Sequence, residues 1–217
     1  MLAIMARTAL TLSVVLALSS CAGSAGTSRN ASGDNSSGQR ISIAGSSALR
    51  WGDGAYGVVL AHGAAFDAAS WEQQAVAIAD QGASVIAVES IDPDAIRNAV
   101  ERLQSEGVTK VALVGGSAGA DAILDLASHE PGLPDQLILL SPNATVNGLG
   151  DEPKLFVASK DEPVAHVATE LAESSPGNEN AVKILPGSAH AQNIFATDLA
   201  GPVLELMLQR LKRFSAP

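Results

Sequence analysis

Val111-Ala112-Leu113-Val114-Gly115-Gly116-Ser117-Ala118-Gly119-Ala120-Asp121-Ala122-Ile123-Leu124-Asp125-Leu126-Ala127 is the stretch on which the reading of this chain turns. Its first four residues are an apolar run that reads as a buried strand, and residues 120–127 carry apolar spacing that fits a helix. Between them Gly115 to Gly119 spell G-x-S-x-G. A strand-to-helix turn this short forces the serine into a strained backbone conformation, and side chains two positions either side of it would collide. Glycine at 115 and 119 removes that collision. The Ser117 hydroxyl is then lifted clear of the sheet at the positive end of the following helix. So short a motif also arises by chance, and its meaning depends on residues elsewhere.

Strand, G-x-S-x-G, helix is the context of a nucleophile elbow. A second signal is His62-Gly63, directly after the apolar strand Gly57-Val58-Val59-Leu60-Ala61. An HG pair placed there resembles the oxyanion loop of α/β-hydrolases. The resemblance implies that the backbone amides of Ala64 and Ala118 hold a developing oxyanion, each worth about 3–4 kcal/mol in such a site. The His62 imidazole itself reads as a structural group bonded to the backbone of its own loop.

Two further residues follow short apolar strands. Asp161 lies in the turn after Lys154-Leu155-Phe156-Val157-Ala158, with Pro163 placed to open a helix. His190 follows Ile184-Leu185-Pro186-Gly187-Ser188-Ala189. Singly, each reads as an ordinary turn, cap or loop residue. Together with Ser117 they stand in the chain order Ser, Asp, His of the α/β-hydrolase family. From about Val58 to the C-terminus the chain is similar to small serine α/β-hydrolases, of esterase or lipase type and about the size of dienelactone hydrolases. The resemblance implies that Ser117 is the nucleophile, His190 the base and then acid, and Asp161 the group that orients the imidazole. Glu162, one residue on, is the alternative acid.

The remaining candidates have simpler readings. His129 ends the helix after the elbow, where it complements the dipole. His166 falls on a helix too close to Asp161 for the family order. Asp67, Asp92 and Asp94 read as loop or capping residues. Phe66 and Phe195 are core or loop anchors, or line an acyl pocket. No histidine pair has metal-ligand spacing and no phosphate-binding loop occurs, so the sequence calls for no metal or cofactor.

Residues 1–20 read as a signal peptide: Arg7 gives a positive start, residues 9–18 are apolar, and Leu18-Ser19-Ser20-Cys21 follows. The apolar run is too short to span a membrane. Small residues before a cysteine resemble the lipobox of bacterial lipoproteins, which implies a lipid on Cys21, the chain's one cysteine. Several acyl chains on it would hold the protein stably to a membrane, on the outer face of a bacterial cell envelope. Residues 21–40, rich in Gly, Ser, Asn and Ala, are expected to be a flexible tether. The Asn-x-Ser/Thr sequons, Asn143-Ala144-Thr145 among them, are then coincidental.

Residues 41–217 amount to one domain. Near-continuous apolar strands at 57–61, 83–88, 111–114, 136–140, 154–158 and 181–185 alternate with helices. The helix opened by Asp92-Pro93 shows Ile96, Ala99, Val100 and Leu103 as one stripe. Ser70-Trp71-Glu72-Gln73 looks like a capping box opening another. This pattern predicts an α/β fold with a mostly parallel sheet covered on both faces. A possible first strand lies at 41–44, and the family's usual N-terminal antiparallel strands are compressed into residues 41–56. The stretch 141–153 leaves no room for a lid, so an open site for small or accessible acyl substrates is expected. A net charge of −10 argues against nucleic-acid binding. Three functions follow: hydrolysis of carboxylic esters or thioesters, acyl transfer on the same groups, or a non-catalytic binding domain that keeps the fold.

Overall fold

The computed structural model describes residues 37–216. The expected signal peptide, Cys21 and residues 21–36 of the tether lie outside them. The first strand, β1 (Gln39–Ile43), begins two residues before the expected domain start. It forms an antiparallel hairpin with β2 (Ser46–Trp51). Then come β3 (Tyr56–Ala61), α1 (Glu72–Ala79), β4 (Ala83–Val88), α2 (Pro93–Ser105) and β5 (Val111–Gly116). The chain continues through α3 (Ala118–His129), β6 (Gln136–Leu140), β7 (Lys154–Ser159), α4 (Ala165–Ser174), β8 (Asn180–Leu185) and α5 (Ala200–Phe214). The strands form one sheet in the order β1-β2-β4-β3-β5-β6-β7-β8, in which β2 alone runs against the others.

Alternation along each strand builds two cores. Val59, Leu113, Leu137 and Phe156 face α2, α3 and α4, where Ile96, Ala99, Val100 and Leu103 form the buried stripe of α2. Val58, Leu60, Val114 and Ile138 face α1 and α5, packing with Ile78, Val203, Met207 and Leu211. Each strand from β3 to β7 is buried throughout, as a parallel sheet covered on both faces requires.

The capping box is a correction. Asp67, not Ser70, is the cap: its Oδ1 accepts from Ser70 N–H at 3.0 Å and opens a 3₁₀ segment, Ala68–Trp71, ahead of α1. Ser70 sits one turn inside, and its hydroxyl donates to the Asp67 carbonyl at 2.5 Å.

One contact sets where α3 leaves the sheet. A Cβ on Gly119 would stand 2.3 Å from the Ala61 carbonyl oxygen and 2.5 Å from that of His62. Backbone meets backbone there, so α3 crosses directly over the end of β3. Gly115 is equally confined, with Ala120 N at 2.8 Å and Ile123 Cδ1 at 2.7 Å from its would-be Cβ.

Gly119→Ala should therefore cost about 1–3 kcal/mol or more in urea unfolding, because the obstruction is backbone that cannot rotate away. Gly201→Ala, in α5 with open space around it, should be neutral or stabilising by up to about 1 kcal/mol.

Candidate active site

The C-terminal ends of β3, β5, β6, β7 and β8 converge where β4 and β5 flank β3, the place at which an open α/β sheet receives ligands. Ser117 follows β5 with φ 51° and ψ −119°, a strained conformation for a residue with a side chain. Its hydroxyl lies 2.8 Å from His190 Nε2. His190 Nδ1 in turn lies 2.6 Å from Glu162 Oε2.

The carboxylate that meets His190 is thus Glu162 and not Asp161. Lys160 and Asp161 form the exposed corner after β7; Asp161 N–H donates to the Gly187 carbonyl at 2.9 Å, and its side chain faces solvent. The next residue turns back under the sheet end, where Glu162 N–H donates to the Ser159 carbonyl at 3.2 Å. The Glu162 side chain is 1% exposed. Its Oε1 accepts from Ser159 N–H at 2.7 Å and Ser141 Oγ–H at 2.9 Å, leaving Oε2 for the imidazole. With both oxygens accepting, Nδ1 carries the proton and a neutral ring presents a bare Nε2 to the Ser117 hydroxyl.

Ser141, which no sequence motif marks, joins these groups. Its oxygen donates to Glu162 and accepts from Ala191 N–H at 2.8 Å, fixing the histidine loop. It is fully buried with φ 49°, and Ala191 also has φ 49°. A lone serine at the end of β6 gives no signal of this in the sequence.

The two amides expected to hold an oxyanion are aimed by their neighbours' carbonyls. A trans peptide points its C=O and the next N–H in opposite directions. The Gly63 carbonyl accepts from Phe66 N–H at 2.9 Å, with His62 Nδ1 also at 2.9 Å, so Ala64 N–H points away from the loop interior. The Ser117 carbonyl accepts from Asp121 N–H at 3.0 Å, so Ala118 N–H points out from the start of α3. A Cβ on Gly63 would lie 3.4 Å from Ser117 Cβ, which puts the two loops side by side. The other ring nitrogen of His62, Nε2, lies 3.0 Å from the Glu89 carbonyl oxygen, so the imidazole serves backbone only.

Asn143, which the sequence marks only as part of a sequon, stands beside Ser117. Its Nδ2 donates to Asp121 Oδ2 at 2.7 Å and lies 3.4 Å from Ser117 Oγ, while its backbone N–H donates to Asp121 Oδ1 at 2.8 Å. Phe66 flanks Gly63, with Cδ2 3.5 Å from the would-be Cβ. Phe195 packs edge-on to Trp71 at 5.9 Å and lines a cleft of about 330 Å³ with Ser70, Gln74 and Gln192. A larger cleft of about 530 Å³, between Ser46, Pro93 and Asp125, contains none of the residues around Ser117. The site is open: Ala64 and Asn143 are exposed, and the β6–β7 connection, 141–153, contains no helix or strand.

Comparison with solved structures decides the fold. A predicted CIB-like hydrolase from Thermoplasma acidophilum superposes with a TM-score of 0.64 at 18% identity, covering 82% of this chain and 98% of that one. The chain has the α/β-hydrolase fold. A monoacylglycerol lipase of Paleococcus ferrophilus matches at TM-score 0.66 and 12% identity, over 79% of this chain and 98% of the lipase. A soluble variant of a Saccharomyces cerevisiae monoglyceride lipase, in complex with a substrate analogue, matches at TM-score 0.67 and 10% identity, over 85% and 98%. No protein-family model and no curated protein sequence matches. The α/β-hydrolase fold here keeps its sheet and helices and carries no large cap among the described residues.

The geometry separates the two acids experimentally. Glu162→Gln should lower kcat on an activated ester by about 10²–10⁴-fold, since an amide in place of the carboxylate disturbs the imidazole tautomer. Asp161→Asn, at an exposed corner, should leave kcat within about threefold of the parent.

Proposed function

We propose that the chain is a serine hydrolase of carboxylic esters or thioesters, with Ser117, His190 and Glu162 as its catalytic groups. The single observation that carries this is His190, which meets the Ser117 hydroxyl with one nitrogen and a buried carboxylate with the other. A non-catalytic domain needs no such alignment, and none of the strain held at Ser117.

The chemistry follows from the placement. As Ser117 Oγ attacks the acyl carbon, its proton passes to His190 Nε2 and the carbonyl electrons become an oxyanion. Ala64 and Ala118 N–H groups stabilise that charge, and Glu162 stabilises the imidazolium. The tetrahedral species collapses as His190 returns the proton to the leaving oxygen or sulfur, leaving an acyl-serine. Water then repeats the sequence, with His190 taking its proton, and releases the acid. Acyl transfer would differ only in the hydroxyl that enters at this second stage.

An open site without a large cap favours accessible acyl groups. Likeness to two lipases of monoacylglycerols supports a lipid-like ester, for which Phe66 and the region of Phe195 offer apolar surface. The lipobox-like Leu18-Ser19-Ser20-Cys21 supports anchoring of the enzyme through Cys21 to the outer face of a bacterial membrane.

Fluorophosphonate probes report an activated serine directly. The full-length chain in detergent should gain one probe mass, and Ser117→Ala and His190→Ala should gain none; an unlabelled, folded parent would contradict the hydrolase reading. Expressed in a bacterium, the full chain should partition into the detergent phase of Triton X-114 and incorporate labelled palmitate. Cys21→Ser should do neither, and a parent that stays aqueous and unlabelled would rule out the anchor.

A further inference from the structure

Gln192 is a buried polar residue, 5% exposed, two positions after His190. Its carboxamide bridges segments that are far apart in the chain. Oε1 accepts from Gly63 N–H at 2.7 Å, and Nε2 donates to Ser70 Oγ at 2.6 Å. Ser70 passes its own hydrogen to the Asp67 carbonyl at 2.5 Å. The orientation of the amide is fixed by chemistry, because a backbone N–H can only donate and so must meet the oxygen. Gln192 also packs on the end of β5: a Cβ on Gly116 would lie 3.5 Å from both its Cγ and its Oε1.

These bonds tie down the residue on which the oxyanion loop depends. Gly63 has its carbonyl held by Phe66 N–H and its N–H held by Gln192. Its carbonyl direction sets that of Ala64 N–H through the shared peptide plane. Ala191 N–H, between His190 and Gln192, is held by Ser141. One turn of chain therefore carries the base at 190, an anchor toward the acid at 191 and an anchor toward the oxyanion loop at 192.

We infer that Gln192 is a positioning residue which couples the histidine loop to the oxyanion loop, so that base and oxyanion donor keep one relative geometry during acyl transfer to and from Ser117. This rests on the hydrolase reading above. Gln192 makes no hydrogen bond to Ser117, His190 or Glu162; it acts through Gly63. Small misplacements of a catalytic group by a neighbouring substitution can cost on the order of 10²-fold.

The test is steady-state hydrolysis of an activated short-chain ester by the full-length chain in detergent, with active sites counted by fluorophosphonate titration and thermal unfolding measured alongside. Gln192→Met, which keeps length and burial but neither hydrogen bond, should lower kcat per titrated site about 10–100-fold with KM within about twofold. Ser70→Ala, which frees Nε2 but leaves the bond from Gly63 to Oε1, should lower it about 2–5-fold. A merely structural residue would reduce the titratable fraction or the unfolding temperature and leave kcat per titrated site unchanged; that result overturns the inference. Should Gln192→Met fail to fold, an unchanged kcat per titrated site in Ser70→Ala overturns it as well. A parent that neither labels nor hydrolyses removes the hydrolase reading and this inference together, whereas a reactive parent with a fully active Gln192→Met removes this inference alone.

Discussion

The close approach of α3 to β3 at Gly119 is the constraint from which the site follows. Two backbones meet there at a distance that excludes a Cβ, against the carbonyls of Ala61 and His62. This contact brings the start of α3, with Ser117 and Ala118, beside the loop that leaves β3. A helix displaced by the volume of a methyl group would part the two loops, which now lie side by side at Gly63 and Ser117. The strained φ of 51° at Ser117 is held by the same packing, with its N–H on the Leu140 carbonyl and its carbonyl on Asp121 N–H. Strain of this kind persists only where the surroundings over-determine it.

Around that contact the polar groups are linked in series. Glu162 accepts from Ser141, Ser159 and His190; Ser141 accepts from Ala191; Gln192 takes Gly63 and gives to Ser70. In a low-dielectric interior each of these groups would be costly if left alone, and each has a partner. The network runs from β7 through β6 and the loop after β8 to the loop after β3. The histidine is thereby fixed from three sides while its Nε2 stays available to Ser117.

Much of this was legible in the sequence, for identifiable reasons. Val111–Val114 is apolar without interruption and Ala83–Val88 is broken only by Ser84, which fits strands buried on both faces, and the stripe of α2 repeats at helical spacing. The G-x-S-x-G turn was legible because only glycine tolerates the crowding at 115 and 119. The acid was not resolved, because Asp161 and Glu162 are adjacent and both are carboxylates. Which one turns under the sheet depends on how the corner after Ser159 folds, and that is set by bonds to Gly187 and Ser141 from other strands. The roles of Ser141, Asn143 and Gln192 are not legible for the same reason: their partners lie 21 to 129 residues away, and no local pattern marks a side chain that bonds so distant a group. Ser70 does not cap α1 because Asp67, three residues earlier, opens a 3₁₀ segment that already contains it.

The most direct measurement is the crystal structure of the chain after reaction with a fluorophosphonate. A covalent bond from Ser117 Oγ to phosphorus is expected, with the phosphoryl oxygen about 2.7–3.1 Å from both Ala64 N and Ala118 N, and His190 still bonded to Glu162. A phosphoryl oxygen turned away from both amides, or an adduct on another residue, would contradict it.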